Sequence, residues 1–207
     1  MAIQEIINSI LAFDDASTAQ TVQGELDSGT DATAILNGGL VAAMDEVGRR
    51  YTQGIFFVPE MMMAAQAMKK GLSVLRPHLE NADTAPESRI VIGTVKGDQH
   101  DIGKNLVSMM LECSGFKVID LGTDVDAEQF VKAAQKSRAK LIAMSALLST
   151  TLASMKAIVS RIRSESHAPK TIVGGAPVTQ EFATYIGADG YSPDAVGAVA
   201  VVRHLIG

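Results

Sequence analysis

The second half of the chain repeats one pattern five times, and that repetition restricts the available folds more than any other feature. From residue 89 onward, short apolar runs alternate with longer amphipathic ones. The apolar runs, at about 89–95, 116–120, 139–145, 170–174 and 188–191, read as strands. The amphipathic runs, at about 102–114, 126–137, 150–165, 177–186 and 194–206, read as helices. Five such units predict an α/β domain with a doubly wound parallel five-stranded sheet, flavodoxin- or Rossmann-like, in strand order 2-1-3-4-5. That order puts the switch point between strands 1 and 3, where open α/β sheets bind ligands at the carboxyl ends of their strands.

The loop after strand 1 is Gly97-Asp98-Gln99-His100-Asp101-Ile102-Gly103. His100 is the only residue there that is a strong neutral metal donor. Asp98, two residues earlier, can accept a hydrogen bond from the far ring nitrogen, which fixes the tautomer and makes the imidazole a better ligand. Gly103 lets a bulky planar group approach the backbone. A solvated loop with an idle histidine is the alternative, and the loop alone leaves it open. Two further motifs end strand-like runs. Forty-one residues separate Gly103 from Ser145-Ala146-Leu147, and 26 separate Leu147 from Gly174-Gly175. All three motifs therefore fall on one rim of the sheet. Ser149, Thr150 and Thr151 continue the second motif as a hydroxyl-rich turn that also suits helix N-capping. Gly174-Gly175 also suits a tight strand-to-helix turn. Asp189-Gly190-Tyr191-Ser192 closes the same rim after strand 5.

Asp-x-His-x-x-Gly, Ser-x-Leu and Gly-Gly at these spacings resemble the signature of cobalamin-binding domains that hold the corrinoid with its lower base displaced by histidine. The resemblance implies that His100 is the lower axial ligand of cobalt, in the base-off form. It implies a relay from His100 through Asp98 to a hydroxyl six residues past Ser145, here Thr151 where methionine synthase has serine. The rotamers of threonine are the more restricted. Gly97, Gln99, Asp101, Ile102 and Gly103 would line the cofactor with them. Ser145, Leu147, Ser149, Gly174 and Gly175 would line the displaced nucleotide tail.

Residues 1–85 read as an N-terminal all-α domain, a four-helix bundle. Ile3, Ile6, Ile7, Ile10 and Leu11 form the first apolar stripe, and Ala19, Val22 and Leu26 the second. Ile35, Leu36, Leu40, Val41, Met44 and Val47 form the third. The fourth helix starts at Pro59, a favoured first helical residue, with Met61, Ala65, Met68, Leu72 and Leu75 on one face. Met61-Met62-Met63 cannot all face one way, so one of them meets something other than the bundle interior. The stretch Gly48–Pro59 resembles the helical cap of methionine synthase and of small corrinoid proteins. The resemblance puts cap contacts to the corrin on Tyr51, Val58 and Met61, with Tyr51 in place of phenylalanine and Val58 in place of leucine. Residues 80–88 read as a linker to the cobalamin domain at 86–207.

Cap and cobalamin domain account for nearly the whole chain. It therefore resembles the free-standing corrinoid proteins that carry methyl groups from methanol, methylamines, methoxylated aromatics or betaines. The partners this implies are a donor-specific methyltransferase, an acceptor methyltransferase acting on tetrahydrofolate or a thiol, and a reductive activator protein. The chain would be a methyl carrier without catalysis of its own. A net charge of −5 gives no basic footprint for nucleic acid. No apolar stretch approaches the ~20 residues that span a bilayer, and the N-terminus lacks the basic start of a signal peptide. A cytoplasmic protein is expected. Cys113, the only cysteine, reads as a core thiol. His78, His167 and His204 read as surface residues. A cobalamin subunit of an isomerase or mutase would lack the cap stretch. A cobalamin-sensing regulator would need an output domain. A flavodoxin-like carrier would have no use for the step from Gly103 to Ser145.

Overall fold

A computed structural model of the chain describes residues 2–79 and 88–207. The linker expected at 80–88 lies, apart from Ser88, outside the described residues. The chain divides into two compact units: the first holds the N-terminal helices, and the second holds the sheet with its helices.

In the first unit, α1 (Ala2–Leu11) and α2 (Asp15–Asp27) are joined by a tight turn. The Asp14 carboxylate accepts the Ser17 N–H and so caps the start of α2. The third apolar stripe spans a single helical run. It comprises α3 (Ala32–Ile35), a π-helical segment (Leu36–Val41) and α4 (Ala42–Thr52). Gly38 and Gly39 sit in the π segment. A Cβ on Gly39 would come within 3.3 Å of Ile6, so this stretch lies close against α1. Helix α5 runs Val58–Leu79, so Pro59 is its second residue rather than its first.

The core of this unit takes Ile6, Ile10, Val22, Leu40, Met44, Met61, Met68 and Leu75 out of solvent completely or nearly so. Each fully buried side chain of this size stabilises the fold by about 1.5–3 kcal/mol relative to exposure. Ser9 and Thr18 are buried between α1 and α2 and bond to each other at 2.9 Å.

In the second unit, β1 (Arg89–Thr94), β2 (Lys117–Asp120), β3 (Leu141–Ser145), β4 (Lys170–Gly174) and β5 (Gly190–Ser192) form one sheet in the order β2-β1-β3-β4-β5. All pairs are parallel, with Val91 opposite Ile142 and Ile142 opposite Thr171. Helices α6 (Ile102–Cys113), α7 (Ala127–Ser137), α8 (Leu152–Arg163), α9 (Gln180–Ile186) and α10 (Ala195–Ile206) alternate with the strands. Strands covered on both faces carry continuous apolar runs, and β1 is buried from Ile90 through Thr94. Phe130, Ile142, Met155, Ile158 and Val173 centre the core. Cys113 is buried, and His78, His167 and His204 are exposed.

Candidate functional site

The carboxyl ends of β1 and β3 are neighbours in the sheet, so their following loops meet. Thr94 ends β1, and its hydroxyl donates to the His100 carbonyl at 2.9 Å, which closes the loop on itself. Within Lys96–Gly103 every residue is exposed except Asp98, which is completely out of solvent.

Asp98 spends both carboxylate oxygens on this loop and the next. Oδ1 accepts the His100 backbone N–H at 3.1 Å and faces His100 Nδ1 at 2.7 Å. Oδ2 accepts the N–H groups of Leu147 at 2.7 Å and Leu148 at 3.1 Å. Thr151 Oγ1 lies 3.1 Å from Oδ2 and 2.8 Å from the Leu148 carbonyl. The hydroxyl has one proton, so it donates to one of these acceptors at a time. Burial pushes the Asp98 carboxyl up. The N–H of Leu147, the His100 ring and the backbone N–H groups of His100 and Leu148 outweigh that and hold it well below the usual carboxylate range.

An ionised carboxylate only accepts hydrogen bonds, so Nδ1 of His100 carries the proton. In the neutral ring Nε2 then keeps its lone pair, and the side chain is 51% exposed. Beside it the rim displays apolar side chains to water: Ile102 is 84% exposed, Leu147 46% and Leu148 41%. A Cβ placed on Gly103 would meet nothing within 4 Å, so that surface is open.

Asp98, His100, Leu147 and Thr151 are thus brought into one bonded group. Gly97, Gln99, Asp101 and Ile102 lie on the same exposed loop, and Ser145 is half-buried at the end of β3. Ser149 is exposed in a 3₁₀ turn (Ser149–Thr151), and neither this turn nor α8 has a side-chain cap. The capping alternative for these hydroxyls therefore fails, because Thr151 turns its hydroxyl back toward Asp98 and Leu148. Gly174 ends β4 on this rim, Gly175 follows it, and both are already required by the fold. Gly175 has φ +115°, and a Cβ there would lie 1.9 Å from the Ala146 carbonyl oxygen. Tyr191 packs against the hydrophobic core of the sheet unit.

In the first unit Tyr51 is half-buried and Val58 exposed, beside exposed Ile55 and Phe57. Met61 departs from expectation. It is fully buried, continuing the Ala65–Met68–Leu75 stripe of α5, and Met62 and Met63 are the members of the triplet that reach solvent.

Three residues near the loop carry no sequence signal. Lys104 is 2% exposed, with its ammonium on Asp120 and on Asn105 Oδ1. Asp124 and Thr123, in the loop after β2, bond to the His100 loop. Only their place on the same rim could have marked them.

Among the described residues no group of three or more His, Cys, Asp or Glu side chains is placed to hold a metal ion. A single imidazole with a fixed tautomer suits a metal whose other positions are already filled.

Residues 88–200 match the B12 binding domain family, and residues 2–76 match a second family of that description. Fold and site together define a cobalamin-binding protein, whose cofactor is a corrinoid. Within that class the chain belongs to the corrinoid proteins. It is 40% identical over 200 residues to trimethylamine corrinoid protein 2 of Methanosarcina mazei, covering 95% of this chain and 92% of the relative. It is 40% identical over 210 residues to the dimethylamine corrinoid protein of Methanosarcina barkeri, covering 99% and 97%. Among solved structures it is similar to the methanol:cobalamin methyltransferase complex MtaBC of Methanosarcina barkeri. There the TM-score is 0.85 at 29% identity, over 99% of this chain and 79% of that one. The residues present fit a corrinoid: one available imidazole nitrogen, an apolar rim around it, and open backbone at Gly103.

Proposed function

We propose that this protein carries a methyl group between a donor-specific methyltransferase and an acceptor methyltransferase, with the corrinoid base-off and His100 Nε2 beneath the cobalt. When bound, the corrinoid supplies a cobalt centre that accepts and releases the methyl group. The observation that carries the reading is the His100–Asp98 pair, which presents one imidazole nitrogen as a lone pair at the switch point of the sheet.

The protein's own residues have several tasks. Asp98 holds the His100 proton at Nδ1 and so keeps Nε2 basic. Thr151 satisfies Asp98 through a hydroxyl that can turn instead to the Leu148 carbonyl, so the number of donors on Asp98 could change if a metal were bound to or released from His100. Ile102, Leu147 and Leu148, exposed in the protein alone, would exclude water along the rim under a bound corrinoid. Ser145, Ser149, Gly174 and Gly175 would line the nucleotide tail. On the first unit, Tyr51 and Val58 remain the candidates for contact with a corrin, and Ile55, Phe57, Met62 and Met63 are exposed apolar side chains of the same unit.

The MtaBC complex supports a methyltransferase as partner, and a reductive activator belongs to the same reading. Acceptor chemistry would be transfer to tetrahydrofolate or a thiol. No described helix is long and apolar enough to cross a membrane.

The test is the visible spectrum of protein refolded with hydroxocobalamin and desalted, beside His100→Ala. Retained colour, with bands shifted in the wild type and unshifted in the variant, is expected. A wild-type protein that retains corrinoid with the same spectrum as His100→Ala would overturn histidine ligation.

A further inference from the structure

The His100 loop is gripped from a third side, by the loop after β2. Asp124 Oδ1 accepts the Gly97 N–H at 2.8 Å, and Oδ2 accepts from Lys96 Nζ at 3.0 Å. The Asp124 backbone N–H donates to the Asp98 carbonyl at 3.0 Å. One residue earlier, Thr123 Oγ1 donates to Gln99 Oε1 at 2.9 Å. Two adjacent residues thus engage Lys96, Gly97, Asp98 and Gln99 in turn. Asp124 achieves this in a left-handed conformation, φ +58°, which aspartate, asparagine and glycine tolerate better than other residues.

We infer that Asp124 is a positioning residue for the Asp98–His100 pair. Its bonds fall on the peptide groups either side of the Asp98 backbone nitrogen, so they fix the direction in which the buried carboxylate leaves the chain. Asp98 Oδ1 must meet both His100 Nδ1 and the His100 N–H, and Oδ2 must reach three donors on another loop. A loop that is otherwise exposed would not hold that alignment by itself. The Lys96 contact is the least consequential of the three, since it is an ion pair between two solvent-exposed side chains.

The inference deepens the proposed ligation by His100 and rests on it for its purpose. Its test is arranged to fail separately. Three variants are compared with wild type: Asp124→Gly removes the carboxylate without left-handed strain, Asp124→Asn keeps an acceptor for Gly97, and Lys96→Met removes only the ion pair. In ¹⁵N-labelled protein without corrinoid, imidazole nitrogen shifts report the ratio of Nδ1–H to Nε2–H tautomer at His100. Asp124→Gly is expected to lower that ratio about fivefold, the scale of one hydrogen bond, while Asp124→Asn and Lys96→Met stay within about twofold of wild type. After loading with hydroxocobalamin and reduction to the Co(II) state, nitrogen splitting in the electron paramagnetic resonance spectrum should weaken in Asp124→Gly and return in Asp124→Asn.

Amide exchange in wild-type protein supplies a reading that needs no variant. The Gly97 N–H, bonded to Asp124, should exchange at least about tenfold slower than an unstructured amide. A wild-type tautomer ratio in Asp124→Gly, or unprotected exchange at Gly97, would overturn the role of Asp124. Absence of nitrogen splitting in wild type would instead overturn ligation by His100, and the ring shifts would still decide on Asp124.

Discussion

His100 and Asp98 stand two residues apart, 2.7 Å from ring nitrogen to carboxylate, with the carboxylate completely buried and the ring half in water. Burial of the acceptor fixes the donor. Nε2 is left free because Nδ1 is bonded, so the chemistry offered to a ligand is set by a residue the ligand need not touch.

That arrangement makes the acid stability of the protein depend on Asp98. Its folded carboxyl titrates well below an ordinary aspartate. The stabilisation is therefore fully present above about pH 4, the unfolded value, and is lost as pH falls from there toward the folded one. Asp98→Asn removes this titration. Its amide would also turn an N–H toward donors on one side or the other, costing about 2–4 kcal/mol at neutral pH. Urea unfolding at pH 7 and pH 3.5 should show a larger loss between the two conditions in wild type than in the variant.

The asparagine variant also predicts a change of tautomer. With its carbonyl kept on Leu147 and Leu148, its amide nitrogen faces the imidazole, and Nδ1 must then accept. The proton moves to Nε2, which can no longer coordinate a metal. Asp98→Asn loaded with hydroxocobalamin should therefore have the spectrum of His100→Ala, although His100 is still present. A spectrum like that of wild type would mean that Asp98 does not set the tautomer.

Thr151 is near the middle of this network and contributes less. Thr151→Val keeps the shape and removes one donor, leaving Asp98 with four. The expected loss is about 0.5–1.5 kcal/mol in urea unfolding, with Thr151→Ser closer to wild type. A loss above about 3 kcal/mol would mean that the hydroxyl holds more than Asp98 and the Leu148 carbonyl.

Strand order and the common rim of the three motif loops were legible because buried parallel strands carry unbroken apolar runs, and five strand–helix repeats leave few topologies. Local periodicity also found the helices of the first unit. What periodicity could not supply was facing at single-residue resolution. Met61 sits on the Met68 stripe and turns inward, while Met62 and Met63 turn out, a difference of one helical step. The π segment at Leu36–Val41 was hidden for a related reason, since Gly38 and Gly39 lie against Ile3 and Ile6, residues on another helix. Asp124 and Lys104 were invisible because their partners lie 27 and 16 residues away, and nothing in either local sequence announces a brace.

Lys104 and Asp120 predict an asymmetry. The ammonium is buried and Asp120 is 36% exposed. Removing the carboxylate strands a buried charge, whereas removing the ammonium leaves a carboxylate that water can reach. Asp120→Asn should therefore cost about 3 kcal/mol, and Lys104→Met, close in volume, about 1–2 kcal/mol. The double variant should be more stable than Asp120→Asn alone. Chemical denaturation of the three proteins measures this, and additive losses would show that the pair is not coupled.

The glycines of the rim separate what the fold needs from what a ligand needs. At Gly175 an added Cβ would lie 1.9 Å from a backbone carbonyl oxygen, in a left-handed conformation. Gly175→Ala should therefore destabilise the protein without cofactor by on the order of 3 kcal/mol or more. At Gly103, the second residue of α6, an added Cβ meets nothing, and alanine favours a helix over glycine by up to about 1 kcal/mol. Gly103→Ala should be at least as stable as wild type without cofactor. If a planar macrocycle lies over that backbone, the methyl group obstructs it, and affinity for hydroxocobalamin should fall by about tenfold, or about 1.4 kcal/mol. Thermal melts of both variants without cofactor, followed by corrinoid titration of Gly103→Ala, distinguish the cases. Unchanged affinity in a stable Gly103→Ala would place the macrocycle away from Gly103, and weakened affinity with undiminished stability would assign that glycine to the ligand rather than to the fold.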